Sequence, residues 1–323
     1  MKTTSSIVCS GVLAMLALPS AFAAEAPAYK VDQSFGQNEI KATPVCVAMD
    51  TKDQLYVLLQ DGTVVLYDTA GKTTGGFKAD MQPVPSTMAV ADGRIYLLGT
   101  VMTEETREFQ GKKIKMMSAS GIKCSVYSPT GVKGDDIKLP EALSAKDAHF
   151  IGKELVIGDF NKGEIISYQI TGSEGKVSHK IGKVFRLCCG IFDFCPGPEA
   201  NSLVVANLGA FKVQTYKHGK NVHEFGARGQ KEEEFAGCCN PVNVACLTDG
   251  SIVTVEKAPT RVKIYNKTGK TQKPVAGLGE LVTGCNTIPI AVDSKGALYL
   301  ASATKNCIVK CVPGSATPNA TSP

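Results

Sequence analysis

The chain has 323 residues, 43% of them hydrophobic and 20% charged, with 32 Gly and 16 Pro. That is globular composition, and it excludes a disordered or collagen-like chain. The 35 basic and 30 acidic residues are spread along the sequence, so a net charge of +5 gives no electrostatic case for a nucleic-acid partner.

The first element in chain order reads as an export signal. Lys2 opens a short basic region, and Ile7 to Leu18 are apolar. Pro19-Ser20-Ala21-Phe22-Ala23 then supplies an A-x-A cleavage pattern, which predicts a signal peptide over residues 1–23. The apolar stretch is too short to span a bilayer, and no later segment reaches about 18 apolar residues, so no integral membrane segment is predicted. The expected compartment is periplasmic or extracellular.

The rest of the chain repeats itself. The stretch FRLCCGIFDFCPGPEANSLVVANLGAFKVQTYKHGK, from Phe185 to Lys220, is self-similar to FAGCCNPVNVACLTDGSIVTVEKAPTRVKIYNKTGK, from Phe235 to Lys270. Each reads as a cysteine-bearing lead-in, a short apolar strand, a turn, a second strand, a polar loop and a third strand ending in Tyr. A fourth, less regular strand closes the unit. The register holds elsewhere: Asp159 precedes Tyr168, Asn207 precedes Tyr216, Glu256 precedes Tyr265 and Ser302 precedes Cys311, each by nine residues.

Six units start near Lys41, Gln82, Lys146, Cys188, Cys238 and Gly284. Val, Ile and Tyr alternate with polar residues between turns such as Asp92-Gly93 and Asp249-Gly250. Four strands per unit at this period predict an all-β, six-bladed β-propeller over residues 28–312, with a polar tail over 313–323. The sixth unit lacks an outer strand. The segment Ala28 to Phe35 resembles the other outer strands and is predicted to supply it, which would remove an open sheet edge.

The second unit carries an insertion from Val101 to Ile122 between its second and third strands. Strand direction places it on the same face as the cysteine lead-ins. Two readings stand for it, a solvated hairpin extension and a lid or docking arm.

Phe225-Gly226, Pro241, the Asp249-Gly250 turn, and Glu256 with Arg261 follow one another as in the NHL repeat. The chain resembles NHL-repeat β-propeller proteins, most specifically over residues 225–270. The resemblance implies six blades, and it implies that Glu256 and Arg261, with Lys257 beside them, form a structural ion pair. The family includes scaffolds, binding modules and a few enzymes, so the resemblance speaks to fold more than to activity.

No H-E-x-x-H, G-x-S-x-G, P-loop or C-x-x-C-H motif is present. His149, His179, His218 and His223 are scattered over several units. The cysteines are not scattered. Cleavage of the signal removes Cys9 and leaves eleven of the 12, an odd number for an exported chain. Cys188-Cys189 and Cys238-Cys239 share one repeat position, and Cys285-Asn286 aligns with Cys239-Asn240. The lead-ins ring one mouth of the channel, so these five sulfurs are expected on one face. Cys195 and Cys246 lie six or seven residues further on, about 20 Å away at about 3.3 Å per strand residue, near the opposite face.

Three readings of the five sulfurs compete: structural disulfides, a thiolate metal site, and a redox pair. A bridge within either adjacent pair would be a strained vicinal ring, because neighbouring Cα atoms are about 3.8 Å apart. The leading functional reading is an exported, noncatalytic binding or scaffold propeller, with a protein or small-molecule ligand at the channel face. The alternative is a periplasmic redox or metal-handling protein using Cys188, Cys189, Cys238, Cys239 and Cys285. A propeller-type hydrolase or lyase comes third, for want of a base or nucleophile set. The one cofactor the sequence suggests is a thiolate-bound metal.

Overall fold

A computed structural model describes residues 29–32, 35, 40–182, 184–270 and 272–314 of the protein. The predicted signal peptide, residues 1–23, and all but the first two residues of the predicted tail lie outside the described residues. Among these residues there is no α-helix, only a short 3-10 turn at Leu208–Ala210. No helix is long and apolar enough to cross a membrane.

The strands form six four-stranded antiparallel sheets, numbered here in chain order by their first strand. Those first strands are Pro44–Met49, Thr87–Ala91, Asp147–Ile151, Asp193–Pro196, Asn243–Cys246 and Ile290–Val292. Each contacts the first strand of the next sheet, and that of sheet 6 contacts that of sheet 1. The result is a propeller-like ring with the six first strands innermost.

Core composition follows from this ring. A second strand is covered by neighbouring sheets on both faces, so it reads as an unbroken apolar run rather than an alternation. Leu55–Leu59 and Leu298–Ser302 are buried at every position. Fourth strands lie outermost, and Thr73–Lys78 is largely exposed. The apolar core is accordingly divided into one large cluster per junction, with a seventh, smaller one under the lead-ins of sheets 4 and 5. The cluster at the junction of sheets 6 and 1 joins Val47, Val57 and Tyr67 to Ala291, Tyr299 and Ile308.

Sheet 6 contains both ends of the described chain. Its strand Cys307–Pro313, which runs one residue past the expected boundary, pairs with Tyr29–Val31. Tyr29 Oη also donates to the carbonyl of Gly296 at 2.7 Å. Residues 28, 33 and 34 of the expected outer strand lie outside the described residues.

The nine-residue register has a physical basis. The upstream residue of each pair ends a second strand and holds the lead-in loop of its own sheet. Asp159 accepts from Leu143 N and Ser144 Oγ, both at 2.7 Å. Asn207 accepts from Arg186 N at 2.8 Å, Glu256 from Ala236 N at 3.2 Å, and Ser302 Oγ donates to Leu281 O at 2.9 Å. Tyr168, at the downstream end, donates to Pro140 O in the same lead-in, at 2.7 Å.

Adjacent innermost strands are clamped on half of the ring. Asp147 Oδ2 accepts from Phe194 N at 2.9 Å, Asp193 Oδ2 from Val244 N at 2.7 Å, and Asn243 Oδ1 from Ile288 N at 2.8 Å. These join sheets 3 to 4, 4 to 5 and 5 to 6. At the junction of sheets 1 and 2 the corresponding contact is the weak one between Cys46 Sγ and Thr87 Oγ1, at 3.7 Å.

The insertion is a β-hairpin. Strands Arg94–Phe109 and Lys112–Tyr127 stay paired to the tip, closed by Gln110 and Gly111 at positive φ. Thr100, at its root, accepts from Ala145 N in the lead-in of sheet 3 at 3.3 Å. The hairpin therefore rises from the lead-in face.

Candidate functional site

The lead-in of sheet 4 makes a tight turn at Cys188-Cys189-Gly190-Ile191, closed by Ile191 N donating to Cys188 O at 3.0 Å. Both central residues have positive φ, 57° at Cys189 and 72° at Gly190. Gly190 adopts this freely, whereas Cys189 is held there at a cost on the order of 1–3 kcal/mol. In sheet 5, Cys239 is also left-handed, at φ 58°. The side chain following it, Asn240, is fully buried and clamps the loop to the end of the second strand. It donates to Ala236 O at 2.7 Å and Lys257 O at 3.1 Å, and accepts from Lys257 N at 3.0 Å. One amide thus fixes both Cys239 and Lys257.

These two loops bring the sulfurs together. Cys188 and Cys189 Sγ are 3.3 Å apart, as are Cys238 and Cys239 Sγ. The sulfurs of Cys188, Cys189 and Cys239 all lie within 4.8 Å of one another. Among the described residues, no other group of His, Cys, Asp or Glu brings three ligand atoms so close. Cys285 of sheet 6 lies close enough to Cys189 to shift its titration, so the five sulfurs form a run from Cys238 through Cys239, Cys188 and Cys189 to Cys285. Below it, Cys239 packs on Ile191, Leu208 and Val242. Cys189, Cys238 and Cys285 are open to solvent.

Protons are shared unevenly along the run. Hydrogen bonds from Cys239 and then Cys189 hold the Cys188 thiol below the usual range, with Lys257 adding to the effect. Cys285 is lowered likewise, by Cys189 first and Lys257 second. Interaction with Cys285, then with Cys188, pushes Cys189 up to about 11. Burial, then the bond to Cys188, raises Cys239. Lowered thiols, Cys188 and Cys285, therefore alternate with raised ones, Cys239 and Cys189, and the ammonium of Lys257 stands beside them. Burial of Lys257 disfavours its charge, but the bond to Cys285 and the charge near Cys189 outweigh that and raise its pKa.

Lys257 is the residue sequence reasoning placed wrongly. Grouped with Glu256 and Arg261, it instead turns the other way, with Nζ 3.8 Å from Cys189 Sγ. Glu256 does pair with Arg261, at 2.5 Å, and also with the fully buried Lys263, at 2.8 Å. Lys263 was missed because a lysine in the middle of a strand resembles any solvent-facing alternation. Its Nζ donates to Glu232 O and Glu234 O, both at 2.9 Å, so this triad ties down the lead-in and stays apart from the sulfurs.

Among the described residues no histidine joins a group of three ligand atoms, although His179 and His218 line one surface pocket with Glu154. His149 faces the channel, 3.3 Å from Asp147, and His179 bonds Ser167 Oγ at 3.0 Å. Asn286 does not repeat the role of Asn240; its side chain accepts only from Thr287 N at the surface. Compared with protein-family models and with curated proteins, the chain finds no match in either.

Proposed function

We propose that the chain is an exported, noncatalytic six-bladed propeller of the NHL-repeat type that captures a soft, thiophilic metal ion at the mouth of its channel. The observation that carries this is the convergence of Cys188, Cys189 and Cys239 from two different sheets within 4.8 Å. A thiolate–metal bond of about 2.3 Å places tetrahedral sulfurs about 3.8 Å apart, within reach of this spacing. Thiolates select thiophilic ions such as Cu(I) and Zn(II) over hard cations. Cys238 and Cys285 flank the triad at either end and supply a further ligand. Their exposure suits a cargo that is loaded and released rather than a closed structural centre.

Partner contact fits the same face. Of the nine large apolar side chains exposed among the described residues, five lie on the hairpin: Met102, Phe109, Ile114, Met116 and Met117.

Metal analysis with thiol titration, on protein purified without reductant, tests the reading. Binding of one Cu(I) or Zn(II) per chain, lost in Cys188→Ser and in Cys239→Ser, is the expected result. Failure to bind either ion, or binding indifferent to both substitutions, would sink it. The redox reading draws on a separate observation, the lowered thiol of exposed Cys285 beside Cys189 and Lys257. It predicts a mixed disulfide at Cys285 and no retained metal.

A further inference from the structure

At the other end of the channel, the last residues of the innermost strands surround a second opening of about 230 Å³, lined by Met49, Val90, Phe150, Pro196, Cys246 and Val292 among others. Here Cys195 Sγ of sheet 4 and Cys246 Sγ of sheet 5 stand 3.6 Å apart, although 51 positions separate them in the chain. We propose that Cys195 and Cys246 are a disulfide site, and that the bridge staples sheets 4 and 5 together.

The backbone is already set for it. At the lead-in end of the same two strands, Asp193 accepts from Val244 N at 2.7 Å and from Asn243 Nδ2 at 2.5 Å. The strand separation is thereby held, and the sulfurs, now 3.6 Å apart, have to close to the covalent distance of about 2.05 Å. The adjacent pairs at the mouth lack this freedom, since their Cα spacing of about 3.8 Å falls short of the usual disulfide range. Other cysteines are placed differently: Cys46 lies against Thr87, and Cys124 and Cys311 sit in separate apolar clusters.

The bridge gives the cysteines two separate roles. Sheets 4 and 5 carry Cys188, Cys189 and Cys239 at their mouth end, so a covalent link at the far end fixes the two frames from which those sulfurs project. It preorganises the mouth without consuming a ligand.

Formation balances as an ordinary thiol–disulfide exchange. The half-buried Cys246, as thiolate, attacks the disulfide of an exported thiol–disulfide oxidoreductase, forming a mixed disulfide and releasing one thiolate of that enzyme. The Cys195 thiolate then attacks Cys246 Sγ, the new S–S bond forms, and the enzyme's second thiolate leaves. Two protons and two electrons leave the pair, and the oxidant departs as a dithiol. This route rests on the export reading.

The test supplies its own oxidant, so the bridge and the export reading fail separately. Purified, reduced full-length chain is equilibrated in glutathione buffers of graded poise, alkylated in denaturant and mapped by peptide mass. The expected product is a peptide pair linked through Cys195 and Cys246, formed at a more reducing poise than any other link. Oxidation should raise the melting temperature by something on the order of 5–10 °C, and Cys246→Ser should abolish both the link and the shift. Recovery of both cysteines fully alkylated at the most oxidising poise overturns the proposal, as does their linkage to other partners.

Discussion

The ammonium of Lys257 stands 3.8 Å from the sulfur of Cys189, a residue of the neighbouring sheet 68 positions earlier in the chain. The lysine reaches it because Asn240 holds both the carbonyl and the N–H of Lys257. A buried cation aimed at several cysteines lowers the cost of gathering thiolates, which would otherwise repel one another.

Reactivity should report that arrangement directly. Cys285 is lowered partly by Lys257, so it is thiolate at a pH where an ordinary cysteine is still protonated. In Lys257→Met its pKa rises, and iodoacetamide labelling near pH 7 should slow several-fold, with no change at Cys307, which burial alone holds high. Equal labelling rates before and after the substitution would disconnect the lysine from the sulfurs.

Metal capture should be coupled to protons with a defined sign. Cys189, at about 11, and Cys239, also raised, hold their protons at neutral pH and must give them up to become ligands. Binding at pH 7 therefore releases protons, measurable by calorimetry in buffers of different ionisation enthalpy. Affinity falls as pH drops further, once Cys188, whose pKa is lowered, also takes up a proton. Affinity independent of pH between 6 and 9 would contradict thiolate ligation.

The buried triad makes a stability prediction. Glu256 and Lys263 each have a side-chain exposure of 1%, so Glu256→Ala strands the Lys263 ammonium inside the fold and also unpairs the partly exposed Arg261. The cost should be about 3–5 kcal/mol in chemical denaturation. A loss below about 1 kcal/mol would show that the lead-in relaxes to hydrate them.

Closure is testable at the N-terminal strand. Deleting residues 29–31 unpairs Cys307–Pro313 and removes the Tyr29 bond to Gly296. A lower melting temperature and concentration-dependent aggregation through the bared edge are expected. An unchanged melting curve would mean the ring does not depend on that strand.

The hairpin should be removable. Replacing residues 102–120 by a short Gly-containing turn keeps the pairing of Ile95–Thr100 with Ile122–Tyr127. The β circular-dichroism spectrum and the metal stoichiometry should both survive, and loss of the spectrum would make the hairpin part of the folding unit.

The repeat made much of the architecture legible. A nine-residue interval from a polar strand end is visible in the sequence because sheets 3 to 6 all use that strand-end residue to hold their lead-in, joined in sheet 3 by Tyr168 at the other end of the interval. The shared position of Cys188-Cys189 and Cys238-Cys239 likewise placed them on one face, since topology carries equivalent positions to equivalent places. Side-chain direction was not legible in this way. Lys257 and Lys263 sit on either side of Arg261 in similar local sequence, yet one serves the sulfurs and the other the carboxylate. That choice is made by Asn240 and by the backbone carbonyls of Glu232 and Glu234, which are close only after folding. The Cys195 and Cys246 contact was hidden for a related reason: it depends on how far two strands are offset across a junction.

The clamps formed by Asp147, Asp193 and Asn243 make the ring elastically uneven. Three consecutive junctions, from sheet 3 to sheet 6, form a stiff arc, and the sulfurs project from that arc. The hairpin is rooted in sheet 2, outside that arc, where Thr100 and Ser86 meet Ala145 of sheet 3 at 3.3 Å, longer than the 2.7–2.9 Å of the clamps. A load applied to the hairpin by a bound partner would enter the ring through these longer bonds, and the spacing of the sulfurs on the clamped arc should be the last to change.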